Sequence, residues 1–343
     1  MPAAIVLRRR WLAITVLLAV AAGGTAWRVQ AHTTPTPVLA NLGSPAQCAR
    51  YSGLPSGWGE GKEAGMVHLA SGDFTFGTKL GYPDERPQGD GRTHVDAFWI
   101  DQTEVTNAQF ASFVKKTAYI TDAERQGGAV VFHVPTDQEL HARPYAWWTW
   151  VKGADWRHPA GPGTSVQGLD NHPVTLVTQA DALAYAHWLG HELPTEAEWE
   201  YAGKAGHDGA KLETAPKYAN GKPSANYWQG VFPQVDTASD GHAGLAPVGC
   251  YQPSDFKLYD MIGNAWEWTR DVYSGEHQFH SNGDTAAVAN QAITRESDTP
   301  MVIKGGSFLC SPDYCVRYRA SSREAQEADL PASHIGFRTI KRG

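Results

Sequence analysis

Helical periodicity is confined to three short segments of this 343-residue chain: Asn107–Lys116, Thr178–Leu189 and Thr195–Ala202. In the first, Phe110, Phe113 and Val114 recur at helical spacing after Thr106, a suitable N-cap. In the second, Ala182, Tyr185, Ala186 and Leu189 share a face. The third opens on Pro194 and then Thr195-Glu196-Ala197-Glu198, the pattern of a capped start. Elsewhere the signals are short strands and turns. Met66–Leu69 and Phe74–Phe76 read as a hairpin around Ser71-Gly72-Asp73, and Val95–Ile100 reads as a further strand. Residues 125–175 lack periodicity but hold Trp147, Trp148, Trp150 and Trp156 among Gly and Pro; from Gly206 onward turns and short strands dominate. The 35 Gly and 21 Pro supply turns, and the 13 Trp and 13 Tyr suit irregular segments pinned by large rings. No repeat and no break in composition follows residue 60. The expectation is one irregular, loop-rich α+β domain over residues 61–343.

The first 31 residues are of another kind. Arg8-Arg9-Arg10 precede the uncharged run Trp11–Ala22, and small residues lead to Val29-Gln30-Ala31. This is the pattern of an export signal. Its alternative is a membrane anchor, but the apolar run is shorter than the ~20 residues a span needs. Residues 32–60, rich in Thr and Pro at their start, read as a linker and N-terminal segment. An exported, periplasmic protein is expected, soluble or attached to the membrane through this segment. The net charge is −7 and becomes more acidic without the four Arg of the signal, which excludes nucleic acid as the main partner.

The four cysteines are Cys48, Cys250, Cys310 and Cys315. Two disulfides would satisfy them. So would a Cys48–Cys250 staple beside a working Cys310/Cys315 pair, and spacing does not decide between these. Cys310 and Cys315 follow Gly305-Gly306-Ser307 and precede Arg317, Arg319 and Arg323. Glycines allow close backbone approach, and cations lower thiol pKa values. The pair could hold soft Cu(I), act as a redox disulfide, or be an inert local bridge. Zinc fits less well, because no further Cys or His completes four ligands. A second group comprises Asn226, Tyr227, Asp240 and His242, followed by Asp260, Gly263, Ala265 and Glu267. Carboxylates, an amide and backbone carbonyls suit Ca²⁺, although they also build ordinary turns. In Gly263–Asp271, Trp266 and Trp268 flank Glu267, which reads as core packing around a satisfied acid. His158 and His172, each followed by Pro, read as structural.

Several of these segments together resemble the formylglycine-generating enzyme, or sulfatase-modifying factor, family. The shared markers are Gly65-Met66-Val67, Trp156-Arg157-His158-Pro159, His172-Pro173-Val174, Leu193–Tyr201, Gly263–Thr269, Gly305-Gly306-Ser307 and Gly336-Phe337-Arg338. The resemblance implies the sulfatase-modifying-factor, C-type-lectin-like fold with little regular secondary structure. It also implies a copper-dependent oxidase that binds Cu(I) through Cys310 and Cys315, with Ser307 and Trp266 lining the oxygen and substrate pocket. The implied partners are O₂ and an unfolded sulfatase polypeptide, or a short peptide, whose Cys-x-Pro-x-Arg cysteine becomes Cα-formylglycine. Two structural calcium sites are implied, one at Asn226, Tyr227, Asp240 and His242, the other at Asp260, Gly263, Ala265 and Glu267. Asp260 stands where Asn is usual. Ser321–His334 departs from the family's substrate-binding stretch, and His334 stands where Asn is common. Other readings on the same fold are an exported relative oxidising another substrate, as in siderophore maturation, and a non-enzymatic lectin-like binding module. Two thiols beside Ser307 argue against the module.

Overall fold

The computed structural model describes residues 41–207, 214–275 and 299–343. The expected export signal and the first part of the linker lie outside the described residues. In chain order the elements are α1 (Pro45–Cys48), β1 (Met66–Leu69), β2 (Gly72–Thr75), β3 (Arg92–Val95), β4 (Phe98–Asp101), α2 (Asn107–Thr117), α3 (Asp122–Gln126), β5 (Gly128–Phe132), α4 (Asp137–Ala142) and β6 (Trp148–Lys152). These are followed by α5 (Gln179–Leu189), α6 (Glu196–Lys204), β7 (Gly230–Val231), β8 (Val235–Asp236), β9 (Trp266–Val272), β10 (Pro300–Lys304), β11 (Arg323–Glu327), β12 (Ile335–Gly336) and β13 (Ile340–Arg342). The strands form a four-stranded sheet ordered β11-β10-β9-β12, a three-stranded sheet β1-β4-β13 and three two-stranded ribbons. The whole is an irregular α+β fold with long connections.

The three expected helices are present, each held at its start by a Thr capping box: Thr106 with Gln109, Thr178 with Asp181, and Thr195 with Glu198. Each box satisfies backbone donors that would otherwise have no partner in the first turn. Two shorter helices, α3 and α4, were not foreseen. They use the same device at Thr121/Glu124 and Thr136/Glu139, but are too short to show an apolar period.

The expected hairpin at residues 66–76 does not form. β1 pairs with β4 and β2 pairs with β3, so the strands either side of Ser71 belong to different sheets. The single strand expected at Val95–Ile100 is likewise two strands, β3 and β4. Partner choice here follows burial: Met66, Leu69, Phe98 and Ile100 are all buried, while β2 alternates half-buried with exposed residues.

α5 packs on β9, and α6 contacts β3, β9 and β10. The larger core joins Phe110, Phe113, Tyr185, Trp266, Trp268 and Phe337 with Cys310. A second core lies around Trp199, Phe98, Ile100 and Leu258. β12 runs parallel to β9, bringing Gly336 opposite Glu267. A Cβ at Gly336 would lie 2.7 Å from the Val174 carbonyl oxygen, so only glycine fits that crossing.

Candidate active site

The loop after β10 begins with Gly305 and Gly306 at φ of 93° and 83°. A Cβ on Gly306 would come within 2.5 Å of the Arg317 carbonyl oxygen, so glycine lets the outgoing and returning chains touch. Ser307, fully buried, accepts a 3.0 Å bond at its carbonyl from the Cys310 amide. A second tight turn closes where the Ser311 amide donates to the Cys315 carbonyl at 3.0 Å. The two turns bring the Cys310 and Cys315 sulfurs to 3.5 Å, and both thiols are free. Cys310 is buried and Cys315 half-buried.

The thiols have opposite acidities. Burial pushes Cys310 up, but hydrogen bonds from Cys315 and the Ser307 and Arg317 backbone, with the Arg317 charge, outweigh it and leave it below the ordinary thiol value. Cys315 is pushed well above, first by its hydrogen bond to Cys310, then by burial and the Cys310 charge. The pair therefore favours one thiolate on Cys310 with the remaining proton on Cys315. Arg317 is held by Asp84, at 3.1 Å, and Glu324, at 3.0 Å, so its charge is fixed beside the pair.

Trp266 lies in the same apolar cluster as Cys310, and its amide donates to the His334 carbonyl at 2.9 Å. His334 packs against Trp148 with centroids 4.5 Å apart and planes tilted by 37°. Burial pushes its pKa down to about 3, so the ring is neutral, and its Nδ1 has no partner. A cavity of about 390 Å³ lies alongside, lined by Phe132, Trp156, Pro159, His172, Phe308 and Ser333 among others. His172 is thus at a cavity wall; burial, with the His242 charge, lowers its pKa to about 4.

The two hard-donor groups are brought together differently. In the first, the side-chain nitrogen of Gln229 bonds both the Tyr227 carbonyl and Asp240 Oδ2. Asp240 also accepts from Tyr251 Oη at 3.0 Å and from the His242 amide at 2.9 Å. Asn226 turns its amide nitrogen to Gly244 and Asn264 instead. A carbonyl and a carboxylate therefore converge on one electropositive nitrogen, as they would on a cation.

In the second group Asp260 adopts a left-handed φ of 53° and accepts from the Gly249 amide at 2.5 Å. Glu267 is fully engaged, by Arg338 at 2.7 Å on both oxygens and by Trp199 Nε1 at 2.6 Å. Sequence reasoning missed Glu104, 160 positions from Asn264, whose Nδ2 donates to Glu104 Oε1 at 2.9 Å. Glu104 Oε2 is buried without a partner. Burial, then the charges of Asp260 and Glu267, push the Glu104 carboxyl well up; burial raises Asp260 to about 6. Three buried carboxyls with one Arg leave a deficit of positive charge, and their oxygens are hard donors. That fits a divalent cation. Among the described residues no three His, Cys, Asp or Glu side chains form a ready-made metal cage, so any cation here would draw on backbone oxygens too.

The remaining cysteines, Cys48 and Cys250, are joined in a disulfide with Cα atoms 5.0 Å apart. Of the alternatives open in the sequence, the staple with an open pair is the one observed.

The domain described as sulfatase-modifying factor enzyme 1-like matches residues 52–343. The chain belongs to the sulfatase-modifying factor family. It is 43% identical over 289 residues to the formylglycine-generating enzyme of Thermomonospora curvata, covering 80% of this chain and 92% of that one. The mouse formylglycine-generating enzyme is 39% identical over 340 residues, covering 92% and 84%. A Bos taurus relative named inactive C-alpha-formylglycine-generating enzyme 2 is 35% identical over 292 residues, covering 82% and 89%. The family thus includes members with and without activity, and the site has to decide. Among solved structures, PvdO from Pseudomonas aeruginosa shares the fold, with a TM-score of 0.53 at 22% identity over 82% of this chain and 96% of that one.

Proposed function

We propose that this chain oxidises a cysteine of a sulfatase polypeptide, within a Cys-x-Pro-x-Arg motif, to Cα-formylglycine. The observation that carries the reading is the open thiol pair, 3.5 Å apart in the Gly305-Gly306-Ser307 loop. A binding module has no need of it. Two soft thiols, one biased to thiolate, are suited to Cu(I) and unsuited to hard ions. Copper bound by Cys310 and Cys315 would supply a soft site for the substrate sulfur and for O₂. Around it, Arg317 stabilises negative charge on Cys310, the buried Ser307 holds the Cys310 amide at its carbonyl, and Trp266 belongs to the buried apolar cluster that contains Cys310. The substrate Cβ loses two electrons, its C–S bond breaks to release sulfide, and a C=O bond forms. O₂ takes four electrons and yields the aldehyde oxygen and one water, so an external thiol reductant supplies the other two.

Asp240 with the Tyr227 carbonyl, and Asp260 with Glu104, are proposed as structural calcium positions bracing the loops that lead into Trp266 at the start of β9. The N-terminal 31 residues are proposed to direct export.

The test is incubation of copper-loaded full-length protein with a Cys-x-Pro-x-Arg peptide, O₂ and a thiol reductant. Aldehyde formation, captured with a hydrazide and read by mass spectrometry, together with sulfide release, is expected. Oxygen-independent binding of the peptide with no aldehyde would favour the binding-module reading.

A further inference from the structure

The loop at 246–252 grips acids of both hard-donor groups. The Ala246 amide donates to Asn264 Oδ1 at 2.9 Å, and Asn264 in turn orients Glu104. The Gly249 amide donates to Asp260 Oδ2 at 2.5 Å. Tyr251 Oη donates to Asp240 Oδ2 at 3.0 Å. One short loop therefore sets the position of Glu104, Asp260 and Asp240. A cavity of about 360 Å³ reaches Asp260 and is lined also by Ser224, Tyr251, Gln252 and Ser254, so the same loop forms a polar wall beside that carboxyl.

The loop has no helix or strand to stiffen it. What holds it is the segment around α1. Cys48 is bonded to Cys250, which stands directly between Gly249 and Tyr251. The Gly43 amide donates to the Gly249 carbonyl at 2.8 Å, and the Gln252 side chain donates to the Gly43 carbonyl. Buried Asn171 joins the two sides: its side chain donates to the Cys48 carbonyl at 2.8 Å, and its carbonyl accepts from the Val248 amide at 2.9 Å. Gly249 has a φ of 73°, and a Cβ there would come within 2.4 Å of the Leu42 side chain, so glycine lets this clamp close. Carboxylates alone do not make a cation site. Their oxygens must be held at set positions against mutual repulsion, and hydrogen bonds to the ligating groups do the holding. Here those bonds come from a loop pinned by one disulfide.

We propose that the Cys48–Cys250 bond is a positioning element for divalent-cation uptake: it fixes the 246–252 loop so that Asp240 and Asp260 stand ready for the ion, and calcium affinity follows the redox state of a bond that supplies no ligand. The proposal rests on the reading of these groups as calcium positions. The redox step is thiol exchange. Two molecules of a thiol give up two electrons and two protons, leave as their disulfide, and convert the bond to the Cys48 and Cys250 thiols. Oxidising surroundings close the clamp and complete the sites; reducing surroundings loosen both together.

The experiment is calorimetric titration of calcium into chelator-treated full-length protein, with the disulfide intact and in Cys48→Ala/Cys250→Ala, which stands for the reduced state. A bond acting only on the unfolded chain would cost stability and leave the calcium Kd of the folded protein unchanged. Positioning predicts instead that the Kd rises about 10–100-fold in variant protein that circular dichroism shows to be folded, the loss expected when groups that orient metal ligands are disturbed. Tyr251→Phe, with the disulfide intact, should weaken one calcium-binding event about tenfold and leave the other as it is. An unchanged Kd in the folded double variant overturns the proposal. So does a Tyr251→Phe titration identical to wild type, which also decides the matter if the double variant does not fold. If wild-type protein takes up no calcium, the calcium reading falls separately. Deuterium exchange at the Gly249 amide then decides the coupling: exchange should be at least about tenfold faster in the double variant, and equal rates refute it.

Discussion

Cys48 and Cys250 are 202 positions apart and bonded; Cys310 and Cys315 are five apart, 3.5 Å between sulfurs, and open. Sequence spacing left both arrangements open, and the structure shows the distant pair bridged and the near pair free. The bonded pair sits in a small apolar cluster with Ala246 and Tyr251, and the Cys48 carbonyl accepts from buried Asn171 at 2.8 Å. It staples the segment around α1 to the loop before Asp260, and closing so long a loop restricts the unfolded chain most. The open pair occupies two turns that hold the sulfurs near each other yet beyond bonding distance, with Arg317 fixed alongside. One pair stabilises; the other remains available for chemistry.

The largest expected break in this contrast is in activity. Cys310→Ser or Cys315→Ser should lower aldehyde formation by more than about a hundredfold, since even losing a residue that merely supports a metal ligand costs 10–100-fold. Circular dichroism should show the fold retained. Either variant turning over at the wild-type rate would remove the pair from the mechanism.

The converse change is next in size. Cys48→Ala with Cys250→Ala should cost about 2–5 kcal/mol of stability, read by denaturant titration. The folded fraction should keep its turnover per molecule. A loss of activity out of proportion to unfolding would mean that the staple shapes the site rather than only holding the chain.

The smallest effect concerns the carboxyls near the staple. With chelator present, Asp260 titrates near 6 in the fold against 3.8 in the unfolded chain. A carboxyl raised in this way favours the protonated folded state. Its contribution is fully present below about 4 and is lost as pH rises through about 6. The melting temperature of chelated protein should therefore fall across that window. Calcium, binding the charged form, should abolish the fall and at a hundredfold excess over its Kd add about 2.7 kcal/mol at neutral pH. Asp240→Ala should remove part of that gain. A melting profile indifferent to chelator at every pH would leave these residues as ordinary turns.

The resemblance to the sulfatase-modifying factor family was legible from short contiguous runs. So were helices α2, α5 and α6, because a capping box is complete within four residues and an apolar face repeats within a turn. The Cys310/Cys315 turn was legible for the same reason: its glycines, proline and thiols are neighbours in the chain. The hairpin at residues 66–76 was misread because both candidate strands are β-like locally, and only burial against β4 separates them. The hard-donor residues were grouped by motif alone, and Glu104, Gln229 and Arg338, which the structure places among them, were not seen. They come from other parts of the chain and carry no local pattern.

What the sequence by itself determined is therefore whatever closes within a turn or two: caps, tight turns, the thiol spacing and the family signature. Tertiary structure alone decided which cysteines bond, which strands pair, that Glu267 is spent on Arg338 and Trp199, and that Glu104 Oε2 is left facing a buried acidic group without a partner. It also set Ala246, Gly249 and Tyr251, within one stapled loop, against Asn264, Asp260 and Asp240. The physical reason is that burial and electrostatic deficit are properties of a packed volume, and no stretch of chain short enough to read as a motif encloses one.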